Sequence, residues 1–116
     1  IYPNKLILKK KLNIGIIGSG KIAQEYAKVV NSFGHKIKII ISKSKNKNAY
    51  SLANKYKSNI FSNINKAPFK KVNAWIVCVG WDNLEYYLDF FLKTNIPVLI
   101  EKGVPINSKK IRKYLK

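Results

Sequence analysis

Leu12-Asn13-Ile14-Gly15-Ile16-Ile17-Gly18-Ser19-Gly20-Lys21-Ile22-Ala23 is the stretch that decides the fold. Its first six residues form a short apolar run, as expected of a strand buried on both faces of a parallel sheet. A Gly-x-Gly-x-x-Ala string follows directly. From Ile22 onward apolar residues recur at Ile22, Tyr26, Val29, Val30 and Phe33, the spacing of one helix face. A strand that passes through two glycines into a helix is what a dinucleotide pyrophosphate needs. Gly18 permits the tight turn, Gly20 lets the backbone approach the phosphates, and Ala23 holds the helix close to the sheet. The helix N-terminus then offers unbonded N–H groups and a partial positive charge. Gly18, Ser19, Gly20, Lys21 and Ile22 are therefore the expected phosphate-binding residues.

The rest of the chain extends this strand–helix unit. Gly34 is placed to cap the first helix, and Ile37 to Ile41 reads as a second strand rich in β-branched residues. Ser42 to Asn48 is a polar, basic loop, after which Ala49, Leu52, Ala53 and Tyr56 mark a second helix. Ile60-Phe61 is a very short third strand, and Asn63 to Lys71 holds a helical turn before Pro68. Ala74 to Val79 is the longest apolar run and reads as a central strand with Cys78 inside it. Leu84, Tyr87, Leu88 and Phe91, with Leu92 beside them, line a further helix that ends near Lys93. Pro97 to Ile100 is another strand, and Ser108 begins a last helix. Strands alternating with helices predict an α/β, Rossmann-type, doubly wound and mostly parallel sheet with helices on both faces.

At 116 residues the chain is one domain, with residues 1–11 as a basic lead-in. No apolar run reaches the roughly 20 residues of a membrane span, and the stretch around Leu6-Ile7-Leu8 is too short for a signal peptide. The single cysteine excludes an internal disulfide and a multi-cysteine metal site; a reducing cytoplasm is the expected compartment. The formal charge of +18 suggests nucleic acid at first sight, but only Arg112 among the 23 Lys+Arg is arginine. Surfaces that read bases or clamp phosphates recruit the bidentate guanidinium, and the lysines here are scattered along the whole chain. The expectation is a solvated lysine surface with weak, salt-sensitive polyanion binding and no specific nucleic-acid partner. There is no Met, and the sequence ends within an apparent helical pattern at Ile111 to Lys116, so a piece of a longer chain is expected.

Three further features point to chemistry. Nicotinamide dinucleotide sites that take NAD usually place Asp or Glu at the end of the second strand to grip the ribose hydroxyls. Of the five acidic residues, Glu25, Asp82, Glu85, Asp89 and Glu101, none falls there; Ser42-Lys43-Ser44 does, followed by Lys45 and Lys47. Two hydroxyls around a cation suit a 2′-phosphate, which favours NADP over the alternative, NAD. Val79-Gly80-Trp81-Asp82-Asn83 lies at a strand's carboxyl end, where open α/β sheets bind ligands. Val79, Gly80, Trp81 as a wall and Asn83 as a hydrogen-bonding group should border the cofactor, with Asp82 or Asn83 able to cap the next helix. Ile100-Glu101-Lys102-Gly103-Val104-Pro105 ends the last strand in the same way. His35 lies away from these positions, Cys78 reads as core, and no cluster suits a metal.

Strand, Gly-x-Gly-x-x-Ala, Ser-Lys-Ser and a late Glu-Lys before a proline together resemble the N-terminal domain of the Gfo/Idh/MocA oxidoreductases, from about Leu12 to the end of the chain. The resemblance implies hydride transfer between the cofactor and a hydroxyl or carbonyl of a sugar, cyclitol or related small molecule. It implies a homo-oligomer at full length and a C-terminal substrate domain absent from this sequence. In the family the late motif is Glu-Lys-Pro, which puts the catalytic lysine at Lys102, orienting or polarising the reacting group, and Glu101 beside the cofactor. Gly103 stands where the family has proline, and Gly80-Trp81 and Asn83 stand where it has Thr-Pro and a nearby His. Those departures leave a non-catalytic, nucleotide-sensing Rossmann domain as the competing expectation.

Overall fold

The computed structural model describes residues 11–44 and 46–100, the side chains of Trp81 and Asp82 excepted. The lead-in before Lys11, the Glu101-Lys102 motif, Gly103, Pro105 and the helix expected from Ser108 lie outside the described residues.

Five parallel strands stand in the order β3-β2-β1-β4-β5: β1 is Asn13–Ile17, β2 Lys36–Ile41, β3 Asn59–Phe61, β4 Ala74–Val77 and β5 Val98–Ile100. β1 is the centre of the sheet, and β4 lies beside it with a partner on each edge. Three helices connect the strands: α1 Lys21–Ser32, α2 Lys47–Tyr56 and α3 Trp81–Phe91. The chain runs outward from β1 to β3, then crosses back to β4 through two 3₁₀ turns, Ile64–Lys66 and Phe69–Lys71. That reversal sets α1 and α2 on one face and the turns and α3 on the other, because parallel crossovers keep one hand. The sequence expectation of a doubly wound parallel sheet is met.

Each face carries its own core. Ile14, Ile16, Ile37, Ile40 and Ile76 pack under α1 and α2 with Ala23, Ala27, Leu52 and Ala53. Ile17, Ile39, Ile41, Trp75 and Val77 pack under α3 with Leu84, Tyr87 and Phe91. The strand period of two would put Ile37 and Ile39 on the same face. Instead the β1–β2 register shifts between Ile14 and Gly15, and the extra residue, Lys38, reverses the phase, so that Ile37 joins the core under α1 and α2 and Ile39 the core under α3. Beside the shift, Gly15 makes room for the fully buried Trp75: a Cβ on Gly15 would run into the indole ring. Trp75 also packs against Phe91 at 5.8 Å between ring centroids, and its indole N–H has no acceptor among the described residues.

Several elements differ locally from expectation. α1 buries Ala23 and Ala27, whereas Ile22, Val29 and Phe33 are about half exposed. Small residues let the helix backbone sit close to the sheet, and Asn31 shares a cleft with Lys55, Tyr56 and Lys57 of α2's end. Of the larger residues, Tyr26 and Val30 pack partly buried against the same core. Phe33 is the C-cap of α1, with Gly34 at φ +85 one residue beyond. α2 starts at Lys47 inside the expected loop, since the Asn46 side chain accepts from the Ala49 N–H at 3.0 Å and caps it. The turn expected before Pro68 is joined by a second one after it. β4 ends at Val77, leaving Cys78 just past the strand and half-buried, because β1 turns away at Gly18. β5 starts at Val98: Pro97 has no N–H to give, and its carbonyl accepts from Trp75 at 3.0 Å. Leu92 lies beyond α3 and is exposed.

Gly15→Ala should lower the unfolding free energy by about 1–3 kcal/mol, the usual cost of forcing extra volume into a packed core. Urea denaturation checks this, with a drop in midpoint at unchanged slope as the expected result.

Candidate functional site

The carboxyl ends of β1, β2 and β4 meet at one point. The Gly18 N–H donates to the Ile41 carbonyl at 2.8 Å, and the Cys78 N–H donates to the Ile17 carbonyl at 2.8 Å. Gly18 itself has φ +113, and a Cβ there would overlap the Cys78 carbonyl oxygen. Both the backbone conformation and the contact demand glycine. The loops leaving these three strands are thereby drawn around a cleft of about 270 Å³, lined by Gly18, Ser19, Ile41, Ser42, Lys43, Ser44, Asn46, Val79, Asn83 and Tyr87.

Half of the residues singled out in the sequence come together here: Gly18, Ser19, the whole Ser42-Lys43-Ser44 segment, Val79 and Asn83. Gly20, Lys21, Ile22 and Gly80 do not line the cleft. Gly20 is instead the N-cap of α1, with no side-chain cap, and a Cβ on it would meet nothing within 4 Å. The first-turn N–H groups of α1 therefore open toward solvent beside Lys21 and Ile22, both exposed. Gly80, rather than Asp82 or Asn83, is the N-cap of α3, and the Asn83 N–H donates to its carbonyl at 3.1 Å. The first residue of α3 is Trp81; its expected role as a wall, and Glu101 and Lys102, fall outside what is described. His35 serves the fold, since its Nδ1 accepts from the Leu12 N–H at 3.1 Å.

The chemistry of the lining is one-sided. None of the lining residues is acidic. Ser42 is only 6% exposed; its N–H donates to the Phe61 carbonyl at 2.9 Å, while its hydroxyl has no partner among the described residues. Lys43 and Ser44 are exposed at the rim. Hydroxyls, an ammonium, an amide and the nearby open turn of α1 make a lining that suits anionic oxygens. A second cleft of about 250 Å³ adjoins the first across Lys43, Asn83 and Tyr87, and reaches Ser62, Asn63 and Tyr86.

Sequence reasoning missed Asn46 and Tyr87. Asn46 could have been found as an Asn preceding a periodic run, the usual signal of an N-cap. Tyr87 reads as core in the sequence, and it is core, but its ring also closes the cleft. Burial raises the Tyr87 phenol above its ordinary value of 10.0, with the neighbouring Tyr86 adding to the shift. No His, Cys, Asp and Glu cluster able to hold a metal occurs among the described residues, and no described helix is long and apolar enough to cross a membrane.

The sequence matches a family described as oxidoreductases with an NAD-binding Rossmann fold, Gfo/Idh/MocA, over residues 12–116. Three solved structures share the fold. GenD2 from gentamicin A biosynthesis, in complex with NAD, superimposes with a TM-score of 0.80 at 15% identity, covering 90% of this chain and 30% of that one. A myo-inositol dehydrogenase from Corynebacterium glutamicum gives 0.79 at 16% identity, with 90% and 32% covered. A UDP-N-acetylglucosamine 3-dehydrogenase from Acidithiobacillus ferrooxidans gives 0.77 at 14% identity, with 91% and 34% covered. The chain thus spans about a third of the length of each. A search of curated proteins found no match.

The raised Tyr87 phenol has a stability consequence. The unfolded chain ionises first, so the contribution is fully present below about pH 10 and is lost as pH rises from there through the folded value. Urea unfolding between pH 8 and 11 should therefore show a steeper alkaline loss for the wild type than for Tyr87→Phe; parallel curves would contradict it.

Proposed function

The chain belongs to the Gfo/Idh/MocA oxidoreductase family, and from that premise we propose that it is the cofactor domain of an enzyme that exchanges a hydride with a CH–OH or carbonyl group of a sugar, cyclitol or similar small molecule. The observation that carries the reading is the single cleft at the joined ends of β1, β2 and β4. It unites the glycine turn, Ser42-Lys43-Ser44, Val79 and Asn83, and no carboxylate lines it.

The residues present fit a dinucleotide. Gly20 leaves space where a side chain would stand, so phosphates can approach the turn Gly18-Ser19-Gly20 and the first-turn N–H groups of α1 beyond it, beside Lys21 and Ile22. Val79, Gly80, Trp81 and Asn83 would border the cofactor beyond β4. Ser42, Lys43 and Ser44 supply two hydroxyls and a cation where an NAD site supplies a carboxylate to the ribose diol. We therefore assign the preference to NADP over NAD. When bound, the nicotinamide supplies or accepts the hydride. Lys102, with Glu101 beside it, would hold and polarise the reacting oxygen with its ammonium group. A second domain would supply the substrate-binding face, in a homo-oligomer in the reducing cytoplasm.

Titration of the chain with NADPH and NADH at fixed salt tests the reading, which requires saturable binding of at least one. Lys43→Asp should cut the NADPH-to-NADH affinity ratio about tenfold, the factor that ~1.4 kcal/mol of charge-assisted hydrogen bonding represents; an unchanged ratio removes Lys43 from the selection. Gly20→Ala should weaken both dinucleotides about tenfold or more while unfolding within about 0.5 kcal/mol of the wild type, as expected of an exposed site with room for a methyl group.

A further inference from the structure

Asn46 occupies a position with two consequences. Its side-chain Oδ1 accepts from the Ala49 N–H at 3.0 Å, which caps α2, and stands 3.4 Å from the Ser19 hydroxyl, which donates to it. A backbone N–H can only donate, so the atom facing Ala49 is the oxygen and the amide orientation is fixed by the fold. The Nδ2 group, with two donors, is accordingly left on the other side of an exposed residue that lines the cleft beside Ser42, Lys43 and Ser44. Ser42, only 6% exposed, lines the same cleft, and its hydroxyl has no partner among the described residues. These are two polar groups lining one cleft, one unspent and one locked as a donor.

We infer that Asn46 is a specificity-determining residue for the dinucleotide: its fixed amide nitrogen donates to an anionic group on the adenosine ribose, and its fixed oxygen ties the phosphate loop, through Ser19, to the start of α2. The inference rests on the dinucleotide reading above. A locked donor rewards the acceptor oxygens of a 2′-phosphate. It gives a ribose diol less than a carboxylate gives, because a carboxylate accepts from both hydroxyls at once. The Ser19 contact also means that the loop reading the pyrophosphate and the loop reading the ribose are joined by one side chain, so discrimination at one end is felt as positioning at the other.

Asn46→Asp separates this role from the cap. Asp caps a helix as well as Asn, and a negative charge at a helix N-terminus is favourable. Both hydrogen bonds accepted by Oδ1 are retained, and only the donor is exchanged for a charged acceptor. The variant should keep or raise its urea midpoint. Its affinity for adenosine 2′,5′-bisphosphate and NADPH should fall tenfold or more, while affinity for 5′-AMP and NADH is held or rises. If the variant folds and the bisphosphate-to-monophosphate ratio is unchanged, Asn46 is a structural cap only and the inference is overturned. If the wild type binds NADH saturably yet shows no preference for the 2′-phosphate, the inference also fails and the dinucleotide reading stands. If the wild type saturates with none of the four probes, the dinucleotide reading and the inference fall together.

Discussion

The close approach at Gly18 holds the candidate site together. Only a residue without a Cβ can take φ +113 there while lying against the Cys78 carbonyl. That one contact, with the Gly18–Ile41 and Cys78–Ile17 hydrogen bonds, ends β1 and β4 at the same level and holds the end of β2 against them. Three loops separated by many residues in sequence then leave the sheet from a common point. A side chain at this position would force the strand ends apart and dismantle the cleft before any ligand-binding residue was altered.

The sheet that delivers those loops is held by packing of an unequal kind on its two faces. Under α1 the contact is close and made by alanines; under α3 it is filled by large rings, with Trp75 spread over Gly15 and edged by Phe91. The phase change at Lys38 turns Ile37 into the core under α1 and α2, while Ile39 belongs to the core under α3. Close packing on one side places the N-terminus of α1 directly over the glycine turn. On the other side, the bulk under α3 brings Tyr87 up to the edge of the cleft, so that a core residue also serves as part of its wall.

The electrostatics of the site are those of a polar lining with a lysine and no carboxylate. A chain of net charge +18 attracts anions everywhere on its surface, and such attraction is readily screened by salt. What distinguishes the cleft is directional: the Ser42 hydroxyl, with no partner among the described residues, and an amide whose orientation the fold sets, with the uncapped first turn of α1 nearby. Fixed donors in a partly enclosed site keep their strength where scattered surface lysines do not. Family membership and the site's composition therefore lead to the same kind of ligand by separate routes.

Much of this was legible in the sequence. The strand–Gly-x-Gly-x-x-Ala–helix unit and the order of elements follow from patterns local to a dozen residues, where spacing and residue type suffice. Local patterns failed where a neighbour decided the outcome. Periodicity gave α1 a face of Ile22, Tyr26, Val29, Val30 and Phe33; Tyr26 and Val30 do pack against the core, but the sheet buries Ala23 and Ala27 and leaves the other three exposed, since the closest contact goes to the smallest side chains. The apolar run to Val79 was cut at Val77 by a turn in a different strand. Asn46 reads as an ordinary loop residue until the fold sets Ser19 beside it. Which segments are strands and helices, and that a glycine turn joins β1 to α1, followed from the chain alone, because those properties depend on neighbours along it. Which donors share one cleft, and which way an amide must point, became fixed only in three dimensions, because those properties depend on contacts between residues as far apart as Ser19, Asn46 and Tyr87.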